Sequence, residues 1–170
     1  MNCKKNTKNL RSWENYNMPK AYHEKANINI QNLTKNQIDK KFVKRISGKV
    51  LKQEKRQGDI SIVFVDAKKM QGLNKKYRGE DKVTDVLSFS QGSTVSEFFN
   101  LPNGYFELGE IIVCLTKVKK NAQEFKSDFE KELGWVIIHG MLHILGYDHE
   151  KSEKQAERMR EKEKYYLKNL

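Results

Sequence analysis

His139-Gly140-Met141-Leu142-His143-Ile144-Leu145-Gly146-Tyr147-Asp148-His149 gathers three of the chain's four histidines into eleven residues. Residues four apart on an α-helix lie about 40° apart around its axis and about 6 Å along it, so His139 and His143 turn both imidazoles to one side. Gly146 stands where a helix C-terminal glycine adopts positive φ, and the turn it permits brings His149 back toward the same point. The spacing predicts a helix, a tight turn and three nitrogen ligands for one ion. A solitary histidine on a helix face is ordinarily a packing residue. Three at this spacing, with a turn glycine between the second and third, point to a metal site.

Three ligands is the count of a catalytic zinc site, which keeps its remaining position for water, whereas structural sites are usually closed and rich in cysteine. Neutral imidazoles leave the ionic charge uncompensated, which brings the pKa of bound water from about 15.7 toward about 7. One zinc ion is the expected cofactor, although imidazole also suits nickel, copper and iron and the ligands alone do not select among them. The same spacing occurs in metzincin peptidases, H-E-x-x-H-x-x-G-x-x-H, whose glutamate is the general base. Here that position is Gly140. With no carboxylate after the first ligand, a metal-dependent hydrolase of the peptidase type is the weaker alternative.

The run resembles more closely the H-G-x-L-H-x-x-G-Y-D-H signature of the YbeY family, bacterial endoribonucleases that mature ribosomal RNA, and every fixed position is present. Leu73-Asn74-Lys75-Lys76-Tyr77-Arg78-Gly79-Glu80-Asp81 and Thr84-Asp85-Val86-Leu87-Ser88-Phe89 are similar to that family's L-N-x-x-Y-R-x-x-D and T-D-V-L-S-F elements, and Leu108-Gly109-Glu110-Ile111 to its L-G-D-I strand. The likeness spans residues 27–168. Val83 and Ser90 stand where the family often has proline, and neither is a ligand. The resemblance implies a metal-dependent, single-strand-specific endoribonuclease of ribosomal RNA maturation and ribosome quality control. It also implies a ribosome, a ribosomal protein or a ribosome-assembly GTPase as partner, and Arg78 as the catalytic arginine that works with the metal. Arginine has the chemistry for this, since its planar fork makes paired hydrogen bonds to phosphate. Asp85 and Asp148 are candidates to hold the free N–H of a ligand histidine, or to cap turns. A non-catalytic ribosome-assembly factor whose metal only closes a helix end is the other alternative.

Composition is permissive of an RNA partner: 33 basic against 22 acidic residues leave +11. Between Lys35 and Arg56 nine basic residues face only Asp39 and Glu54, while Ile38, Phe42, Ile46 and Val50 recur every four positions. That is an amphipathic helix with a basic outer face, a pattern more often simply solvated than functional. The 170 residues suit one domain, expected over 27–170 after an N-terminal extension, 1–26, that is polar and either disordered or docked by its aromatics. Cys3 and Cys114 offer no disulfide framework, and no apolar run is long enough to span a membrane, so a cytoplasmic location is expected.

A strand is expected over 27–32, then the basic helix from a Thr34–Gln37 capping box to before Gly58. Asp59–Asp66 reads as a strand covered on both faces, followed by a helix capped by Asp66 that buries Met70, Leu73 and Tyr77 and ends at Gly79. Val86–Phe89 and Gly109–Leu115 read as strands joined by a long loop, Gln91–Phe106, whose aromatics either stack on bases or pack on the sheet. A helix from Thr116 to Phe125, the metal helix from a Ser127–Glu130 capping box, and a charged helix over 151–170 complete the chain. The expected class is α+β, one mixed sheet of about four strands backed by helices, with the three-histidine site on a helix.

Overall fold

The computed structural model describes residues 27–56, 58–90 and 107–168. The extension 1–26 and the aromatic loop Gln91–Phe106 lie outside these residues. Alternating apolar side chains make β2 (Asp59–Val65) an inner strand: Ile60, Ile62 and Phe64 face one way, Val63 and Val65 the other, and all five are buried. β1 (Ile28–Asn32) and β4 (Glu107–Cys114) flank it in parallel, with Ile62 opposite Ile30 on one side and Ile111 on the other. β3 (Val86–Ser90) runs antiparallel beside β4, Ser88 opposite Ile111, so the order is β1-β2-β4-β3. Gly109 permits that last pairing, because a Cβ there would run into the Phe89 carbonyl oxygen.

Helices cover both faces. Over the face of Ile62, Phe64, Ile111 and Val113 lie α1 (Lys40–Gln53), α3 (Leu115–Glu124), α4 (Phe129–Ile144) and α5 (Glu153–Lys168), sharing one core. α2 (Ala67–Arg78) covers Val65, Leu87 and Ile112 on the other with Met70 and Leu73. This is the expected α+β architecture. α4 is apolar around most of its circumference because it is enclosed: Leu133, Val136, Ile137, Ile138, Met141 and Leu142 are each at most 3 % exposed. Gly140 sets its depth. A Cβ at Gly140 would stand 3.0 Å from Ile111 Cγ2 and 3.3 Å from Val86 Cγ2, tighter than ordinary packing, so glycine lets the helix lie this close to β3 and β4 without displacing them.

Two helix starts differ from the expected capping boxes. α1 begins after Asp39, whose carboxylate accepts from the Lys41 and Phe42 amides at 2.8 and 3.0 Å. Thr34 instead closes a small turn with Asn32, and its hydroxyl accepts from the Asn36 amide at 3.2 Å. A short acidic side chain adjacent to the first turn outcompetes a threonine several residues upstream. α4 likewise begins after Asp128 rather than Ser127, with no side-chain capping bond.

Candidate metal centre

The end of α4 builds the site. Gly146 takes φ 93°, and the Gly146 and Tyr147 amides donate to the carbonyls of His143 and Leu142, both at 3.0 Å, which is the paired closure of a glycine-terminated helix. The chain then reverses and His149 returns. The ligand nitrogens of His139, His143 and His149 lie within 4.8 Å of one another. The Nε2 atoms of His139 and His143 are 3.2 Å apart, close to the separation of about 3.4 Å that two nitrogens have when bound tetrahedrally to one zinc at about 2.1 Å.

Protonation also suits a metal. Burial, reinforced by the neighbouring His139 and His149, pushes the His143 pKa down to about 4, so its ring is neutral near pH 7 and offers a lone pair. His139 Nδ1 lies 2.7 Å from Glu163 Oε1 on α5, both side chains mostly buried at 17 % and 13 % exposure. That contact assigns the proton to Nδ1 and leaves Nε2 for an ion. The donor set therefore fits a divalent cation that accepts imidazole nitrogen.

The histidines line a cleft of about 310 Å³ together with Arg78, Val86, Ser88, Asp148 and Glu150. Arg78 is the last residue of α2, where Gly79 ends the helix in the left-handed conformation at φ 76°. Its neighbour Tyr77 packs edge-on against Phe89, the ring centres 5.1 Å apart, which leaves Arg78 on the cleft side. Asn74 is buried and secures the following loop: its Nδ2 donates to the Lys82 carbonyl at 2.9 Å, and its own carbonyl accepts from the Glu80 amide. Among the described residues Arg78 enters no ion pair, so its guanidinium is available to an anion.

The two aspartates separate. Asp148 lines the cleft, and its carboxylate accepts from the Glu150 amide at 3.0 Å; that bond, with Lys151, holds it below the usual carboxylate range. Asp85 is not among the cleft-lining residues. It accepts from Asn121 Nδ2 and the Val86 amide, both at 2.9 Å, tying the start of β3 to α3. The carboxylate that touches a site histidine is Glu163, which the sequence reading missed. It lies 24 positions beyond His139, in a helix of mixed charge, and no local spacing distinguishes it from its neighbours.

Fold and site together define an α+β protein with a three-histidine centre positioned to bind a metal. The family model described as endoribonuclease YbeY matches residues 24–170, and the chain belongs to that family. Curated relatives named endoribonuclease YbeY include one from Fusobacterium nucleatum, 40 % identical over 81 % of this chain and 84 % of its own length. Another, from Petrotoga mobilis, is 39 % identical over 84 % and 92 %. One from Thermodesulfovibrio yellowstonii is 45 % identical over 65 % and 66 %. The solution structure of TM1509 from Thermotoga maritima is similar with a TM-score of 0.56 and 35 % identity, covering 82 % of this chain and 86 % of that one.

Proposed function

We propose that this chain is a zinc-dependent endoribonuclease specific for single strands, acting on ribosomal RNA in maturation and ribosome quality control. Membership of the endoribonuclease YbeY family supports an RNA-cleaving hydrolase. The observation that carries the metal-dependent reading is the convergence of three imidazoles and Arg78 on one cleft. His139, His143 and His149 would hold the ion, with nickel or another divalent cation as substitutes for zinc. When bound, such an ion supplies Lewis acidity, drawing charge from phosphate oxygen and lowering the pKa of water. Arg78 is the catalytic residue of the chain itself: it grips the phosphate in two places and offsets the charge that accumulates as the diester is attacked. Glu163 keeps His139 in the tautomer that presents Nε2. The small cleft, walled by Val86 and Ser88 of the edge strand β3, suits one strand rather than a duplex. The exposed lysines of α1, Lys40, Lys41, Lys44 and Lys52, add sequence-independent affinity for the polyanion.

No described helix is long and apolar enough to cross a membrane, which accords with work in the cytoplasm on the ribosome or its subunits, with a ribosomal protein or an assembly GTPase as partner. The test follows cleavage of an end-labelled single-stranded ribosomal RNA fragment by zinc-loaded wild type, Arg78→Glu and His139→Ala, purified identically. Loss of cleavage in both variants supports the reading. Equal cleavage by all three refutes it as contamination, and intact RNA binding without cleavage by any form favours an assembly factor.

A further inference from the structure

One carboxylate outside the cleft joins three elements at the site's rim. Glu54, the residue closing α1, is 11 % exposed at its side chain and receives three donors. Tyr166 Oη and Lys162 Nζ of α5 donate to Oε1 at 2.6 and 2.8 Å, and Tyr147 Oη donates to Oε2 at 2.8 Å. Tyr147 belongs to the return segment, one residue after Gly146 and two before His149. α5 therefore touches the site twice within one turn, through Glu163 to His139 and through Lys162 and Tyr166 to the Glu54 carboxylate that holds Tyr147.

The ligands are anchored unequally. His139 and His143 ride on an enclosed helix, and Glu163 fixes the ring of His139. His149 is exposed, follows a glycine turn, and among the described residues no hydrogen bond holds its ring. Its position is inherited from the backbone of the return segment. That segment is held on one side by the Asp148–Glu150 turn and on the other by the Tyr147 hydroxyl.

We infer that Glu54 and Tyr147 are positioning residues of the metal centre: their hydrogen bond fixes the return segment and so brings His149 into register with His139 and His143. The inference rests on the metal-centre reading above. Losing the bond leaves two ligands in place and loosens the third, which is then tied by the Gly146 and Tyr147 amides, the packed Tyr147 ring and the Asp148–Glu150 turn. The expected consequence is about a tenfold rise in the metal dissociation constant, the lower end of what outer-layer partners of metal ligands contribute, and a changed ligand field.

The test loads the full chain with cobalt(II) as a spectroscopic stand-in for zinc. Wild type, Tyr147→Phe, Glu54→Gln, the double variant, Tyr166→Phe and His139→Ala are compared by cobalt titration, visible absorption and thermal melting. Tyr147→Phe removes one oxygen and keeps the ring against the core, so it folds even should Glu54→Gln fail. The expected result is about tenfold weaker binding with an altered visible band in Tyr147→Phe and Glu54→Gln, and no further loss in the double variant. Tyr166→Phe, which leaves the Glu54–Tyr147 bond intact, is expected to lower the melting temperature while keeping the wild-type cobalt spectrum. Wild-type affinity and spectrum in Tyr147→Phe would overturn the inference, since Glu54 would then serve stability alone. Cobalt binding of wild-type affinity and spectrum in His139→Ala would instead overturn the metal-centre reading, and the inference with it.

Discussion

Removing the carboxylate that grips His139 should weaken metal binding without unfolding the protein. Glu163 Oε1 lies 2.7 Å from His139 Nδ1, with 13 % and 17 % of the two side chains exposed, so water only partly replaces a lost partner. A hydrogen bond to a charged group contributes about 1.5–3 kcal/mol net, and at about 1.4 kcal/mol per decade that corresponds to roughly 10- to 100-fold in affinity, matching the range for outer partners of ligand histidines. Glu163→Ala is therefore expected to raise the zinc dissociation constant about 30-fold. Glu163→Gln keeps an acceptor but loses the charge, and should cost about half as much in free energy, about fivefold. Competition against a chromophoric chelator near neutral pH measures both, with Glu161→Ala, on an exposed position of the same helix, as control. A folded Glu163→Ala protein that binds zinc within twofold of wild type would refute the assignment of His139 Nε2 as the ligand atom oriented from behind.

Arg78→Lys should retain folding and RNA binding yet cleave about 10- to 100-fold more slowly, because the ammonium cannot reproduce the two-pronged contact; unchanged cleavage of labelled RNA would remove Arg78 from catalysis. Chelation should leave the helical circular dichroism intact, since the core does not depend on the ion, while lowering the melting temperature by about 5–10 °C from a protein with free zinc at about 100 times the dissociation constant. Burial acts to raise the Glu54 carboxyl, but hydrogen bonds from Lys162, Tyr166 and Tyr147 outweigh it and hold the group below the usual value of 4.5. A folded-state pKa below the unfolded one gives stability that is present above pH 4.5 and lost as pH falls through the folded value, so Glu54→Gln should flatten that part of the acid limb of a melting-temperature profile. Gly140→Ala should destabilise by about 1–3 kcal/mol in denaturant unfolding, since its Cβ would press on Ile111, a fully buried residue of an inner strand.

Local chemistry made most of the fold legible. The alternation in β2, the αL glycine after Arg78 and the four-residue repeat of α1 each follow from backbone geometry over a few residues, and each appears where its pattern predicts, except that Ile38, the first of the repeat, precedes the helix. The capping boxes failed for the same reason in reverse. Thr34–Gln37 and Ser127–Glu130 satisfy a spacing rule, but Asp39 and Asp128 stand nearer the first residues able to bury an apolar face, and burial decides where a helix starts. The site divides similarly. Its three histidines share one helix end and its turn, so spacing reveals them, whereas Glu163 and Glu54 reach it only because α5 and α1 pack around α4.

Gly140 shows how packing and chemistry meet at one position. The peptidase comparison reads it as a missing base, a gap defined by what another family keeps there. In this fold a Cβ on the second residue of the run would press on Ile111 at 3.0 Å and on Val86 at 3.3 Å, and a glutamate would have to force its longer, charged side chain into that packed contact between α4 and the sheet. The close approach of helix to sheet thus works against a zincin-type base at this position. Restoring the motif with Gly140→Glu should accordingly yield neither casein hydrolysis nor a stable fold. A folded, casein-cleaving Gly140→Glu protein would show that the base, not the packing, is what separates the two chemistries.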